Sequence, residues 1–438
     1  MGTMASSTHQ FGVLDLIRAG LQDLDTARTL LDELRADGID DDRLCLLMKT
    51  LEQTCEPDIA LRNLVDIIKA LQSQGRDFHQ VITDDAGLVR LVTVLGVSDE
   101  MGKLMRFRPE LVMAAASDSC ESHLYNHAQR RAHVLEAVGA DPADNRMPKA
   151  TKPLAEAATA LRQTYRKQLA AIMAQDATAD DPIEIQPRIS QELSDLADAA
   201  LEGALAIARN EVDGSEHVRF AIIGMGKLGA RELNYVSDVD LIYVVEPADA
   251  DTNGMTLNRV GTKMATTLQR VCQSVIMGVA EPTLWQIDGG LRPEGKDGPL
   301  VRKLESHKAY YEQWAENWEF QALLKARPVA GDPDLGQAYM DMTRPFVWTA
   351  SKRDNFVYDC QQMRKRVEDL IPAPLKDREI KLGRGGLRDV EFTVQMLQLV
   401  HGRADETLRT SSTLESLQRL AEGGYVSRSQ AKKLSWDY

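Results

Sequence analysis

Two aspartates that are two residues apart, Asp238 and Asp240, carry the clearest chemical signal in the sequence. They stand at the start of an apolar stretch, DVDLIYVVE, which predicts a β-strand. Side chains of a strand alternate between its faces, so both carboxylates should point to the same side. Two carboxylates on a mostly buried strand repel each other and lose hydration, and a divalent cation is the obvious compensation. The pair therefore predicts a metal site, and capping of an exposed strand end is the simpler alternative.

A third carboxylate, Asp288, lies in the sequence IDGGLRP, at the end of a strand predicted over residues 283–288. Nucleotidyl transfer uses such clusters, because two metal ions neutralise the phosphate oxygens and hold the attacking and leaving groups in line. We therefore expect Asp288 to complete the cluster. Arg292 follows four residues later and is a candidate phosphate ligand, with a structural salt bridge as the alternative.

A glycine-rich turn, GMGKLG, precedes the aspartate pair. Its glycines would let the backbone approach a phosphate, and its lysine would add an ammonium group, so Gly226 and Lys227 are predicted phosphate contacts. The same letters match a dinucleotide-binding fingerprint, with Glu246 as its acidic residue. That alternative is disfavoured because a parallel crossover needs a helix of about ten or more residues, and only residues 230–237 are available.

Two further stretches contain candidate ligands for the nucleotide or for phosphate. Lys325 and Arg327 end a helix predicted over residues 305–327, where they would either bind the nucleotide or complement the helix dipole. In KLGRGGLRDVEF, Gly385 and Arg388 lie at the start of a predicted helix. A free helix N-terminus behind a glycine loop is an anion site, and an interdomain turn is the alternative.

The composition restricts the class of protein. The chain has 438 residues, 43% hydrophobic and 27% charged, and a net charge of -14, which disfavours a nucleic-acid partner because such binding rests on clustered Lys and Arg. The absence of a long apolar run or a signal peptide predicts no membrane association and a cytoplasmic location. The five cysteines are scattered and predict reduced thiols rather than a disulfide framework or a zinc site.

Apolar spacing divides the chain into three predicted segments. Residues 1–115 form a helical region, residues 116–345 contain the domain with the chemistry (core motifs at 218–300), and residues 346–438 form a helical domain. The predicted fold class is therefore α+β. The last residues, SRSQAKKLSWDY, begin a helix with no visible end, which predicts that the C-terminal domain is truncated.

Four stretches together closely resemble the bacterial glutamine synthetase adenylyltransferase/adenylyl-removing enzymes: GMGKLGARELNYVSDVDLIYV, IDGGLRPEGKDGPLV, WEFQALLKARPVAGD and EIKLGRGGLRDVEFTVQMLQLVHG. The resemblance covers about residues 90–438, in order. It implies a polymerase-β-like nucleotidyltransferase core with large flanking helical domains. Members of this family have two related halves: one removes AMP from a glutamine synthetase tyrosine by phosphorolysis and releases ADP, and the other attaches AMP from ATP. The helical lead-in and the single aspartate motif resemble the adenylyl-removing half.

The resemblance also implies ligands and partners. Asp238, Asp240 and Asp288 would bind Mg²⁺, or Mn²⁺ in its place, with orthophosphate as co-substrate. Glutamine synthetase would be the protein substrate, with a PII signalling protein and glutamine as effectors. The family often has Gly where this chain has Ala230 and Ser where it has Val236, and neither position supplies a ligand. Two alternatives stay open: transfer of AMP or UMP to a protein tyrosine, and a regulatory binding module without turnover.

Overall fold

The computed structural model describes residues 11–117, 126–250 and 252–438. Residues 1–10 of the predicted N-terminal region and Cys120 lie outside the described residues. The chain divides into two compact units, one of residues 1–126 and 163–192 and the other of residues 127–162 and 193–438. This division differs from the three predicted segments. Residues 163–192 belong with the first unit, and residues 346–438 belong to the same unit as the aspartate motifs.

The first unit is helical throughout its described residues. Leucine, isoleucine and valine side chains at helical spacing, such as Leu34, Leu64 and Leu91, form one buried core that also includes Ala170 and Ala174. Its helices are α1 (Val13–Arg18), α2 (Leu24–Ala36), α3 (Asp41–Glu52), α4 (Pro57–Ser73), α5 (Phe78–Val81), α6 (Asp85–Val97), α7 (Asp99–Met105), α8 (Pro109–Ala116) and parts of α10 (Leu154–Ala177) and α11 (Pro182–Glu211).

The second unit combines a small sheet with helices, which agrees with the predicted α+β class. Besides the remaining parts of α10 and α11, its elements are α9 (His127–Val138), β1 (Val218–Gly224), α12 (Gly226–Gly229), β2 (Val239–Pro247), α13 (Gly254–Gln273), β3 (Ile287–Asp288), β4 (Val301–Arg302), α14 (Leu304–Gln313), α15 (Asn317–Leu323), β5 (Arg327–Gly331), α16 (Pro333–Thr349), α17 (Phe356–Asp369), α18 (Leu387–His401), α19 (Thr413–Glu422) and α20 (Arg428–Asp437).

The sheet of the second unit is mixed, with strand order β3-β2-β1-β5 and β4 also paired with β2. Strand β1 is antiparallel to both β2 and β5, whereas β3 and β4 run parallel to β2. A dinucleotide-binding unit would need β1 and β2 to be parallel, with a long crossover helix between them. Their antiparallel pairing across the four-residue helix α12 therefore excludes that alternative.

The helix predicted over residues 305–327 is wrong in its second half. Helix α14 ends at Gln313, α15 begins at Asn317 after a capping box, and Arg327 begins an edge strand rather than ending a helix. The cause is long-range pairing, because β5 bonds to β1, about a hundred residues earlier in the chain. Pro328 fits on this edge strand, where it does not have to donate to a further strand.

The strand predicted over residues 283–288 is shorter than expected, since only Ile287 and Asp288 pair in the sheet. The preceding backbone bonds elsewhere. The amide of Leu284 donates to the carbonyl of Cys272, 2.8 Å away, and the amide of Ile287 donates to the side chain of Gln273. The first residues of the predicted strand therefore bond to the end of α13 instead of pairing in the sheet.

One core joins the sheet to the helices that follow it. Side chains of β1 and β2, including Ile223 and Val244, share a buried cluster with Phe356, Cys360 and Leu399 from α17 and α18. The four described cysteines are free thiols, as expected. Among the described residues, no helix is long and apolar enough to cross a membrane.

Candidate active site

The three predicted carboxylates meet at one edge of the sheet. Strands β2 and β3 are parallel, and their register pairs Asp240 directly with Asp288. Asp238 lies two residues before Asp240, just ahead of β2. Asp238 is exposed, whereas Asp240 and Asp288 are half-buried. The structure therefore brings together the cluster that the spacing predicted, although it is more open to solvent than a pair on a buried strand would be.

The electrostatics of the cluster are unfavourable for a set of bare carboxylates. Burial, followed by the negative charges of Asp238 and Asp288, raises the pKa of Asp240 to about 6. Arg388 and Lys381 oppose this shift only weakly. Among the described residues, no side chain forms an ion pair or hydrogen bond with the carboxylate of Asp238 or Asp240. A group of unpaired carboxylate oxygens is the ligand type that Mg²⁺ and Mn²⁺ prefer.

The glycine turn packs directly against the cluster. The amide of Met225 donates to the carbonyl of Asp240 at 2.8 Å, which fixes the turn to the start of β2. Gly226 has a φ of +54°, and a Cβ at this position would lie 2.5 Å from Oδ2 of Asp240. This position therefore requires glycine for both its conformation and its close approach. The next residue, Lys227, is half-buried, and burial lowers the pKa of its ammonium group.

A cleft of about 270 Å³, named here the carboxylate cleft, joins the acidic cluster to basic side chains. Its acidic wall contains Asp238 and Asp240, and aromatic side chains of Trp318 and Phe392 also line it. Its basic side chains are Lys227, Lys325, Lys381 and Arg388. Asp288 and Asp238 border an adjoining cavity of about 270 Å³. Carboxylates that can hold cations and basic side chains that can bind phosphate oxygens therefore line the same cleft.

Lys381 is a cleft residue that the sequence reasoning missed. It is exposed, lies ahead of α18 and contributes a positive charge near both Asp240 and Lys227. The signal available in the sequence was its place in KLGRGG, two residues before the first glycine of that stretch. The prediction for this stretch rested on its glycines and Arg388 and did not include the lysine.

The helix α18 does not provide the free amides expected of an anion site. The amides of Leu387 and Arg388 donate to the carbonyls of Ile380 and Lys381, and the amide of Gly385 donates to Asp389. The expectation of a free N-terminus is therefore wrong, because the turn satisfies its own donors. The side chain of Arg388 nevertheless lines the carboxylate cleft, where it pairs with Glu391 at 2.9 Å.

Arg292 supports the loop that follows Asp288. Its Nε and both terminal nitrogens donate to the carbonyls of Gly289, Lys296 and Gly298 over 2.7–3.2 Å. These bonds are neither the predicted phosphate contact nor the salt bridge that was its alternative. They hold the loop in a compact turn, so Arg292 acts in the structure as a support of this loop.

Lys325 and Arg327 both have buried carboxylate partners. The ammonium group of Lys325 lies 2.9 Å from Glu232 and lines the carboxylate cleft. Arg327 bonds to both oxygens of Asp198, at 2.6 and 3.1 Å, and donates to the carbonyls of Leu228 and Gly229. Arg327 therefore holds the glycine turn from behind, and Lys325 alone of the two faces the cleft.

A second acidic group lies away from the cleft. His127, Asp195 and Asp198 each offer a ligand atom, and these atoms lie within 4.8 Å of one another, a spacing that could hold a metal ion. However, Asp195 bonds to Arg231, and Asp198 bonds to Arg327. Two guanidinium groups thus already balance these carboxylates. The sequence reasoning did not find this group, because its members come from distant parts of the chain.

The fold and the site define an α+β protein in which carboxylates and basic side chains meet in one cleft at the edge of a mixed sheet. The family model described as glutamate-ammonia ligase adenylyltransferase matches residues 88–342. The chain belongs to this family, which confirms the resemblance seen in the motifs. A second family model, described as GlnD PII-uridylyltransferase, matches residues 361–438.

Curated relatives agree with this assignment. A protein of Bifidobacterium longum is 76% identical over 435 residues, which are 99% of this chain and 40% of the relative. Proteins of Cutibacterium acnes and Streptomyces coelicolor are 44% and 42% identical, over 97% of this chain and 42% and 40% of their own lengths. All three are named bifunctional glutamine synthetase adenylyltransferase/adenylyl-removing enzyme. The chain spans about 40% of the length of these relatives.

Proposed function

We propose that this chain removes AMP from an adenylylated tyrosine of glutamine synthetase by metal-dependent phosphorolysis, with ADP as the product. The observation that carries the proposal is the parallel register that pairs Asp240 with Asp288, next to Asp238 and without cationic partners. The family assignment and the relatives' names support the class of reaction and the protein substrate. The core that carries this chemistry would be of the polymerase-β type.

The carboxylates Asp238, Asp240 and Asp288 fit a divalent cation, Mg²⁺ or Mn²⁺, because hard cations prefer oxygen ligands and no described cationic side chain pairs with these three. When bound, such ions neutralise phosphate oxygens and align the reacting groups. Asp240 must be ionised to serve as a ligand. The raised pKa of Asp240, about 6, means that protons compete with the metal in mildly acidic solution.

The basic side chains of the cleft have a separate task. Lys227, Lys381 and Arg388 would bind and orient the phosphate groups, because they line the same cleft as the carboxylates. An oxygen of orthophosphate attacks the α-phosphorus of the adenylyl group. The bond from phosphorus to the tyrosine oxygen breaks, and that oxygen takes a proton from solvent. Orthophosphate is already anionic, so the attack needs no general base from the chain.

The second candidate is the opposite modification, in which AMP or UMP is transferred from a nucleoside triphosphate to a protein tyrosine. The observation that favours it is the match of residues 361–438 to the PII-uridylyltransferase model. The same carboxylate cleft would serve both reactions. This match also supports a PII signalling protein as an effector, and the family resemblance implies glutamine as another.

The test is to incubate the chain with adenylylated glutamine synthetase, orthophosphate and Mg²⁺ and to measure ADP. We expect ADP release that depends on phosphate and metal. The double variant Asp238→Asn, Asp240→Asn should release none, whereas Asp213→Asn, which changes an exposed aspartate outside the cleft, should match the unaltered chain. AMP incorporation from ATP without ADP release would favour the second candidate. An undiminished effect of the double variant on glutamine synthetase would identify a binding module without turnover.

A further inference from the structure

We propose that a second cavity in the same unit binds a small organic anion that carries phosphate or carboxylate groups. This arginine cavity is lined by Arg344, Arg403 and Arg409 and has a volume of about 670 Å³. Ligand sites in proteins typically occupy about 300–1,000 Å³, so its size suits a metabolite. None of its lining residues lines the carboxylate cleft. It is therefore a separate site.

The charge of the arginine cavity selects an anion. Its three arginines face a single lining carboxylate, Asp341, in a chain whose net charge is -14. Arg344 and Asp341 are 3.5 Å apart, whereas the exposed side chain of Arg403 has no ion-pair partner among the described residues. Guanidinium groups bind carboxylate and phosphate oxygens in a planar, two-bond geometry. Because Arg344 pairs with Asp341 and Arg409 pairs with Glu406, the excess positive charge that would recognise such a group is that of Arg403.

The structure fixes one arginine of this cavity in place. Nε of Arg409 donates to the carbonyl of Gly402 at 2.9 Å, a terminal nitrogen pairs with Glu406 at 2.7 Å, and the guanidinium lies over the ring of Trp348, 5.1 Å from the centroid. Gly402 packs so closely against this ring that a Cβ there would lie 2.8 Å away. A fixed guanidinium loses less entropy when it binds a ligand.

The remaining lining residues suit the body of an organic molecule rather than a bare ion. Leu323, Val347 and Trp348 provide apolar lining, while Thr410 and Ser411 add hydroxyl groups. An apolar wall with a few polar groups is the usual lining of a metabolite site. The ligand class is therefore an organic anion whose acidic groups contact the arginines.

Two chain segments that line the arginine cavity lead to residues at or next to the carboxylate cleft. Leu324 and Ala326 line the cavity, and Lys325 between them lines the cleft and bonds to Glu232. Thr410 and Ser411 also line the cavity and lead to Thr413, whose amide and hydroxyl both donate to Glu232. Glu232 follows the Gly226–Lys227 turn, so an anion held in the cavity would restrain that turn.

The binding test uses isothermal titration of the full chain with citrate, pyrophosphate and AMP, in EDTA so that no metal recruits them to the carboxylates. The three probes distinguish carboxylate, phosphate and nucleotide ligands. We expect saturable binding of at least one probe. Arg403→Glu and Arg344→Glu should each weaken it about tenfold or more, because each removes a charge-assisted contact. Both side chains are exposed, so the fold should be kept.

Two matched variants make the test decisive. Arg259→Glu changes an exposed arginine of α13 that lines neither cavity, and Lys381→Glu changes a cation of the carboxylate cleft. Both should keep the binding. Absence of saturable binding for all three probes, or binding lost in Lys381→Glu and kept in Arg403→Glu, would overturn the proposal. Neither outcome depends on the reaction proposed above.

The link between the two cavities is tested by hydrogen exchange. With the bound probe present, amides of residues 226–233 should exchange more slowly, because Glu232 is held more firmly. Arg403→Glu should remove this protection. Unchanged exchange in this segment at saturating probe would contradict the link.

Discussion

Two groups of carboxylates in the second unit differ in what faces them. The first group lies at the β3 side of the sheet and consists of Asp238, Asp240 and Asp288. No described side chain forms an ion pair or a hydrogen bond with the carboxylates of the first two. Asp195 and Asp198 are buried on α11, and each bonds to an arginine. The acidic residues of both groups are aspartates, but only those of the second group pair with arginines of the protein itself.

The comparison teaches that the partners of a carboxylate, rather than the spacing between carboxylates, separate a ligand site from a structural one. Both oxygens of Asp198 bond to Arg327 and one oxygen of Asp195 bonds to Arg231, so this group has fewer oxygens to offer a metal. The two groups also depend on each other. Arg327 joins Asp198 to the carbonyls of the glycine turn, and the turn contacts Asp240. The neutralised group thus positions the unneutralised one.

The largest expected effect is on turnover. Asp240→Asn removes a proposed metal ligand from the unneutralised group, so ADP release should fall roughly 10³-fold, because bound metal contributes several kcal/mol to charge stabilisation. The measurement is ADP release from adenylylated glutamine synthetase at saturating phosphate. The exposed control Asp213→Asn should lose nothing, and a loss of less than about threefold in Asp240→Asn would break the distinction between the groups.

The second prediction concerns stability and the neutralised group. Asp198→Ala leaves Arg327 without its buried partner, which should cost about 3–5 kcal/mol in urea denaturation. Asp213→Asn is again the control, because its side chain is exposed. If Asp198→Ala instead kept its stability and lost metal binding, the second group would be the metal site.

In the third prediction, a substitution stabilises the folded chain instead of destabilising it. The pKa of Asp240 is raised to about 6 from 3.8, so the folded chain holds this proton more tightly than the unfolded chain and becomes less stable as pH rises through that window. Asp240→Asn cannot ionise. In EDTA at pH 7.5 it should be more stable than the unaltered chain by about 2–3 kcal/mol, and the difference should vanish below pH 4. Urea denaturation at both pH values measures this, and equal stability at pH 7.5 would contradict the electrostatic account.

The fourth prediction tests the contact between the turn and the cluster. Gly226→Ala places a methyl group 2.5 Å from Asp240 in a backbone conformation with φ of +54°, so the chain should lose about 1–3 kcal/mol of stability and bind metal more weakly. Gly254→Ala is the matched control, because its added Cβ would meet nothing within 4 Å. Equal behaviour of the two variants would show that the close approach is unimportant.

The smallest effect is expected at the rim of the cleft. Lys381→Gln removes an exposed charge, so the KM for orthophosphate should rise about two- to fivefold with little change in kcat. Initial rates over a range of phosphate concentrations separate the two constants. Lys376→Gln, in an exposed position outside the cleft, should change neither. A fall in kcat alone would assign Lys381 a different role.

The sequence was sufficient for the carboxylates because their signals are local. The two-residue spacing of Asp238 and Asp240 follows from strand periodicity, and the short connection after the glycine turn argued correctly against a dinucleotide fold. The position of Asp288 on a neighbouring strand was expected, and the register confirms that it faces Asp240.

The basic residues were harder, because their roles depend on distant partners. Arg327 follows a helical pattern in sequence, but it begins a strand whose partner β1 lies about a hundred residues away. The sequence left Arg292 open between a phosphate contact and a salt bridge, but its guanidinium donates to carbonyls within six residues. The local sequence shows that an arginine is present, but only the folded structure shows which acceptors its guanidinium already contacts.

Metal affinity provides the most direct test of the central claim that the unneutralised carboxylates hold the metal. Mn²⁺ binding, followed by electron paramagnetic resonance, should be lost in Asp240→Asn and retained in Asp195→Asn, which alters the neutralised group. The account predicts this pattern in folded protein at pH 7.5, where the carboxyl of Asp240 is ionised. Binding that survives in Asp240→Asn and disappears in Asp195→Asn would contradict it.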